Sequence, residues 1–161
     1  MRTKKIITVI QAKKITQTLR REGKKIVFTN GCFDLLHIGH IRTFKFCKRH
    51  GDVLIVGLNS DASVRALKGK ARPLVPEKER AEILSALSDV DYVVIFKTST
   101  PVLLIQALKP DVHVKGGDYS RAKDLPEHDI VKQYGGKVVL APHVKNRSTT
   151  NFLKRIQCVK S

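Results

Sequence analysis

The chain has 161 residues, a formal net charge of +17 and a hydrophobic content of 42%, enough to bury a core in one domain and too apolar for a chain disordered by composition. No apolar run approaches the roughly 20 residues that span a bilayer, and no apolar signal core follows the basic start Met1-Arg2-Thr3-Lys4-Lys5. Cys32, Cys47 and Cys158 form no CxxC pair and suggest neither a disulfide framework nor a zinc site, so a cytoplasmic protein with no membrane partner is expected.

Residues 8–21 read as an amphipathic helix whose buried stripe is Ile10, Ala12, Ile15 and Leu19. Residues 25–29 are a first buried strand, residues 39–50 a helix stopped by Gly51, and residues 53–58 a second strand. Residues 76–87 form a strong helix. Pro76 suits its first position, and Glu77, Glu79 and Glu82 suit its positive end. A third strand follows at 91–96, then a helix at 101–108 capped by Thr100 and followed by Pro110. Residues 112–115 are a fourth strand, 125–134 a helix stopped by Gly135-Gly136, 137–141 a fifth strand, and 148–157 a final helix capped by Ser148. Strands separated by helices imply right-handed parallel crossovers. The expected fold is a single α/β domain, a Rossmann-like five-stranded parallel sheet with helices on both faces. A basic N-terminal helix occupies residues 1–24 and the Rossmann-like core residues 25–157. Ligands in such sheets bind beyond the carboxyl ends of the strands.

The charge excess sits at the two ends. Residues 1–25 hold nine Lys/Arg against one acid, and residues 130–161 hold seven against none. Such ends either contact nucleic-acid phosphates or are solvated faces that attract small polyanions. Aromatics are only 6% and do not interleave with the basic stretches, which favours the second reading, with no nucleic acid as partner.

The first strand runs into Asn30-Gly31-Cys32-Phe33-Asp34-Leu35-Leu36-His37-Ile38-Gly39-His40. Gly39 lets backbone approach a ligand, and the helix starting there points N–H groups and a positive dipole end at the same place. Two imidazoles added to that end make an anion cradle suited to phosphate oxygens. A zinc site lacks third and fourth ligands in a closed pattern.

These residues resemble the signature of the cytidylyltransferase-like nucleotidyltransferases. Further segments narrow the resemblance: Leu58-Asn59-Ser60-Asp61-Ala62-Ser63-Val64, Leu67-Lys68-Gly69-Lys70-Ala71-Arg72-Pro73, Arg80, Val114-Lys115-Gly116-Gly117-Asp118-Tyr119 and Ser148-Thr149-Thr150-Asn151. Together they are similar to the adenylyltransferase domain of bacterial heptose-phosphate enzymes, over residues 20–157. That family makes ADP-heptose from D-glycero-β-D-manno-heptose 1-phosphate and ATP for lipopolysaccharide inner core or related glycans. Its bifunctional members carry a sugar-kinase domain first, so the expected type here is the stand-alone adenylyltransferase.

The resemblance implies that His37 and His40 hold the triphosphate and stabilise the transition state at the α-phosphorus. Asn30, Gly31, Cys32, Phe33, Asp34 and Gly39 line the nucleotide side. Asp34 is equally read as a loop-stabilising turn residue. Lys68 and Arg72 are expected near the β- and γ-phosphates or the substrate phosphate, although an exposed lysine is usually only solvated. Arg80 is implied as a phosphate ligand; by its position alone it is a surface arginine or an ion-pair partner. Lys115, Gly116 and Gly117, with Asp118 and Tyr119, are candidates for contact with nucleotide and sugar. Ser148 and Thr149 offer hydroxyls and N–H groups that serve both as a cap and as an anion site. No residue is expected as a covalent nucleophile. A magnesium ion is expected on the triphosphate, and a homodimer is implied. Rival readings are glycerol 3-phosphate with CTP, FMN with ATP, and a basic nucleic-acid-binding module that releases no pyrophosphate.

Overall fold

The computed structural model describes residues 4–116, 121–142, 149, 152 and 153. The apolar runs become five strands: β1 (Ile26–Gly31), β2 (Val53–Asn59), β3 (Tyr92–Phe96), β4 (Val112–Lys115) and β5 (Lys137–Leu140). All neighbouring pairs are parallel, in the order β3-β2-β1-β4-β5. The chain leaves β1 towards β2 on one side and returns to β4 on the other. The carboxyl ends of β1 and β4 therefore flank the crevice where open α/β sheets bind ligands.

Among the described residues the α-helices with full bounds are α1 (Val9–Arg21), α2 (Ile38–Lys48), α3 (Asp61–Lys68), α4 (Glu77–Ala86), α5 (Val102–Leu108) and α6 (His128–Gln133). The period of two along each strand divides the core. Val27, Leu54, Val56, Val93 and Val114 pack with Phe44 and Cys47 of α2 and with Ala81 and Leu84 of α4. Ile26, Phe28, Ile55 and Val94 pack on the other face with Ala12 of α1, Leu104, Ile105 and Leu108 of α5, and Val131 of α6.

The amino-terminal edge of the sheet is tied by aspartates that each precede a strand. Asp52 accepts the Lys25 N–H at 2.7 Å, Asp91 the Leu54 N–H at 2.7 Å, and Asp111 the Ile26 N–H at 2.7 Å. Much of the N-terminal charge is also structural. Lys5 donates to the carbonyls of Leu87 (3.0 Å) and Val90 (2.7 Å) beyond the end of α4. Arg20 donates to Leu108 (2.8 Å) and Lys109 (2.9 Å) at the end of α5. Cations placed there satisfy orphan carbonyls and complement the negative helix ends.

Several elements differ from expectation. In α1, Thr8 closes a capping box with Gln11. Ala12 and Thr16 are buried, but Ile10 is 71% exposed. At 3.6 residues per turn it lies about 160° from Ala12, so it faces solvent. Helix α3 was not expected. Ser60 caps it, accepting the Ser63 N–H at 3.2 Å, and Asp61 sits in its first turn. Pro76 is the cap of α4 rather than its first residue, and Pro101, not Thr100, caps α5. The expected helix over 125–134 shortens to α6 behind a 3-10 turn, Ala122–Asp124, because Pro126 disfavours helical backbone at Leu125. The final helix lies mostly outside the described residues; Thr149, Phe152 and Leu153 are helical.

Candidate active site

Strand β1 ends in Asn30-Gly31, and six residues, 32–37, separate it from α2. His37 is the cap of α2. Its Nδ1 accepts the Gly39 N–H at 3.1 Å, while the His37 N–H reaches His40 Nδ1 at 3.4 Å. The two rings stack with centroids 3.8 Å apart at 23°. A neutral ring that accepts at Nδ1 carries its proton on Nε2, which is the donor a phosphate oxygen needs. The helix start thus sets both tautomers before any ligand arrives. Burial, then the neighbouring His37, pushes His40 down to about 3, so His40 is a neutral donor at physiological pH.

Phe33 holds this geometry. Its ring meets His40 edge-on at 5.1 Å and Phe44 at 5.4 Å. Its backbone lies in the left-handed region at φ 45°, a conformation costing about 1–3 kcal/mol for a residue with a side chain. A Cβ on Gly31 would meet the Phe33 ring at 3.1 Å, so glycine there lets the ring fold back.

Asp34 is buried and works as the anchor of the loop before α4. Its carboxylate accepts the N–H groups of Leu74 (2.8 Å) and Val75 (2.9 Å) and the Nε–H of Arg72 (2.6 Å). Burial alone would raise its pKa; donation by Val75, Leu74 and Arg72 outweighs burial and holds the carboxyl below the ordinary value. The bonds of Asp34 run to residues 38 to 41 positions away rather than into a local turn, so it ties the signature loop to the segment before α4. Arg72, with a side chain only 16% exposed, is aimed by this bond. Lys68 is exposed at the end of α3. Arg80 differs from the expectation of a phosphate ligand: its side chain has no exposure. Its donors go instead to the carbonyls of Cys32, Val75 (2.8 Å) and Asn59 (2.9 Å) and to the Asp61 carboxylate (2.7 Å). Burial raises the Cys32 thiol pKa, against the opposing fields of Lys68, Arg80 and Arg72, which suits a wall residue and not a nucleophile.

On the β4 side, Asn30 Oδ1 lies 3.3 Å from His113 Nε2. Lys115 bonds Glu127 at 3.1 Å, the carboxylate being 3% exposed. A Cβ on Gly116 would lie 3.3 Å from Thr43 of α2, so β4 and α2 approach closely across the crevice. Thr149 donates to the Leu35 carbonyl at 3.4 Å, and Phe152 stacks near His37 at 6.1 Å, which sets these two residues against the signature loop. The structure brings Phe33, His37, Gly39 and His40 together at the start of α2, joins Asp34 to Arg72 and Asn30 to His113, and sets Gly116 beside Thr43 and Thr149 beside Leu35. Gly117, Asp118, Tyr119 and Ser148 lie outside the described residues. Sequence reasoning missed Asn59, Asp61 and Glu127. The first two stand in the Leu58-Asn59-Ser60-Asp61 segment, whose polar residues directly after a strand were the available signal. Glu127 carried no pattern of its own.

Residues 28–155 match a family model described as cytidylyltransferase-like. The chain is 54% identical over 142 residues to the bifunctional protein HldE of Syntrophotalea carbinolica, covering 88% of this chain and 29% of that protein. It is 56% identical over 142 residues to the HldE of Geobacter metallireducens, with the same coverage. The chain thus spans under a third of the length of these relatives. Among solved structures it resembles the lipopolysaccharide core biosynthesis protein of Thermoplasma volcanium, at 28% identity and a TM-score of 0.66, over 76% of this chain and all of that one. It shares the fold of a pantoate-beta-alanine ligase from Francisella tularensis, at 18% identity and a TM-score of 0.59, over 92% of this chain and 69% of that one.

Proposed function

The chain belongs to the cytidylyltransferase-like family and is a nucleotidyltransferase, and from that premise we propose that it transfers AMP from ATP to a sugar 1-phosphate, D-glycero-β-D-manno-heptose 1-phosphate, giving ADP-heptose and pyrophosphate. The observation that carries this reading is the stacked pair His37 and His40, with Nδ1 turned to the start of α2 and the ring protons left to Nε2. In this reading an oxygen of the acceptor phosphate attacks the α-phosphorus. The bond from that phosphorus to the bridging oxygen breaks, and pyrophosphate leaves with its electron pair. No proton need be removed from a phosphate dianion. Catalysis is positioning and charge stabilisation, with the two imidazole N–H groups meeting charge as it develops on the phosphate oxygens.

Arg72, held at Nε by Asp34, offers its guanidinium to the acceptor phosphate, and Lys68 supplies a mobile second charge. In this reading Lys115 and Gly116, with Gly117, Asp118 and Tyr119, contact nucleotide and sugar, and Ser148 and Thr149 contact the nucleotide. Among the described residues no three His, Cys, Asp or Glu side chains converge on a cation position. The mouth carboxylates Asp34 and Asp61 are held by Arg72 and Arg80. In this reading the triphosphate carries a magnesium ion, which would neutralise phosphate charge. Among the described residues no helix is long and apolar enough to cross a membrane. The same reading places the enzyme in the cytoplasm, as a homodimer, with small-molecule substrates and no nucleic acid.

The test is a panel of ATP and CTP against heptose 1-phosphate, glycerol 3-phosphate and FMN, scored by pyrophosphate release. ATP with heptose 1-phosphate should exceed every other pair at least tenfold. A faster reaction of CTP with glycerol 3-phosphate would replace the proposed substrates.

A further inference from the structure

The geometry points to Arg80 as a positioning residue, a buried clamp that sets the acceptor side of the crevice without touching substrate. This rests on the nucleotidyl-transfer reading for its functional meaning but not for its structural test. The guanidinium is wholly enclosed and reaches three carbonyls from three different segments: Cys32 after β1, Asn59 at the end of β2, and Val75 before α4. Asp61, the first residue of α3, takes a further N–H at 2.7 Å. Four of its N–H bonds are thereby committed, out of the five that a guanidinium carries.

Val75 shows what the clamp is for. Its carbonyl accepts from Arg80 Nε at 2.8 Å, and its N–H donates to Asp34 at 2.9 Å. One peptide position is gripped from both ends, by a buried cation from α4 and a buried anion from the signature loop. The same Asp34 carboxylate holds Arg72 Nε at 2.6 Å. Arg80 therefore fixes the root of the 69–75 loop, and Asp34 transmits that position to the Arg72 guanidinium. The rest of the loop is held by local backbone bonds, Gly69 N–H to the Arg65 carbonyl at 2.9 Å and Arg72 N–H to the Gly69 carbonyl at 3.1 Å, while Lys70 and Ala71 are exposed. Cys32 has additional support from the packed Phe33 that follows it, so loss of the clamp should fall harder on the acceptor side than on the triphosphate side. Lysine cannot replace arginine here, because one ammonium cannot span three carbonyls set around a planar fork.

The experiment compares the wild type with Arg80→Lys, first without substrates. Amide hydrogen exchange at Leu74 and Val75 should accelerate at least tenfold, while exchange at Ile55 and Val56 in β2 stays within twofold. In steady state the KM for the acceptor phosphate should rise at least tenfold, with the KM for the triphosphate within threefold. If Arg80→Lys does not fold, Asp61→Asn, which releases one partner of the clamp, is read in the same way with smaller changes. Unchanged exchange at Leu74 and Val75 overturns the clamp. In that case a raised acceptor KM would make Arg80 a direct phosphate ligand. A complete lack of turnover in the wild type would strike the nucleotidyl-transfer reading and leave the exchange result standing.

Discussion

Two buried histidines from distant segments, His40 at the start of α2 and His113 on β4, end in the same neutral state. His40 is depressed to about 3 by burial and by its neighbour, and His113, fully buried on β4, is pushed to about 3 by burial and then by Lys115. A histidine whose folded pKa lies below its unfolded value stabilises the fold above the unfolded pKa, and the stabilisation is lost as pH falls towards the folded pKa. Unfolding by urea should therefore become easier between about pH 6.5 and 4, with His113 contributing a slope of up to about 1.4 kcal/mol per pH unit. The low carboxyl of Asp34 adds its loss only below the ordinary value of 3.8, outside that window. His113→Gln should flatten the urea profile between pH 4 and 6.5; an unchanged slope would mean that His113 is protonated in the fold. For chemistry the same neutrality matters. His37→Ala and His40→Ala should each lower kcat by about 10²–10³, with unchanged circular dichroism, as measured by pyrophosphate release. Near-normal turnover in either folded variant would remove the pair from the site.

At the scale of elements, the strands were legible because their apolar runs are short and bounded by turn residues, and the helix after the signature because glycine and histidine precede an apolar stripe. Helix α3 was not, since it is only eight residues long, Asp61–Lys68, between the end of β2 and Gly69. The site was legible where residues act through local geometry, as His37 and His40 do at one helix start. It was not legible where a side chain acts across the fold. Arg80 meets Cys32 from 48 positions away and Asp34 meets Leu74 from 40 positions away, and no spacing rule carries such pairs. The sheet also sets a packing constraint that sequence pattern misses. A Cβ on Gly57 in β2 would lie 2.7 Å from the Phe28 ring. Gly57→Ala should destabilise the fold by about 1–3 kcal/mol, read as a lower urea midpoint, whereas Gly23→Ala meets nothing within 4 Å and pays only for its positive φ.

For the whole molecule, the charge of +17 has a partly internal use. Lys5 and Arg20 finish helix ends rather than face a partner, so the N-terminal excess overstates what a polyanion would meet. The remaining field should steer triphosphate and sugar phosphate into the crevice, and kcat/KM should fall severalfold between about 0.01 and 0.15 M salt as the Debye length shortens from about 30 to 8 Å. A nucleic-acid module would instead show salt-sensitive binding of RNA or DNA and no pyrophosphate release. The central claim is that nucleotide moves directly from the triphosphate to a phosphate acceptor held opposite His37 and His40. The most direct measurement follows the label of ATP marked at its α-phosphorus, with heptose 1-phosphate in excess. All consumed label should appear in the nucleotide sugar, with one pyrophosphate per label and none on the protein; label retained on the chain, or released as AMP or ADP, would contradict it.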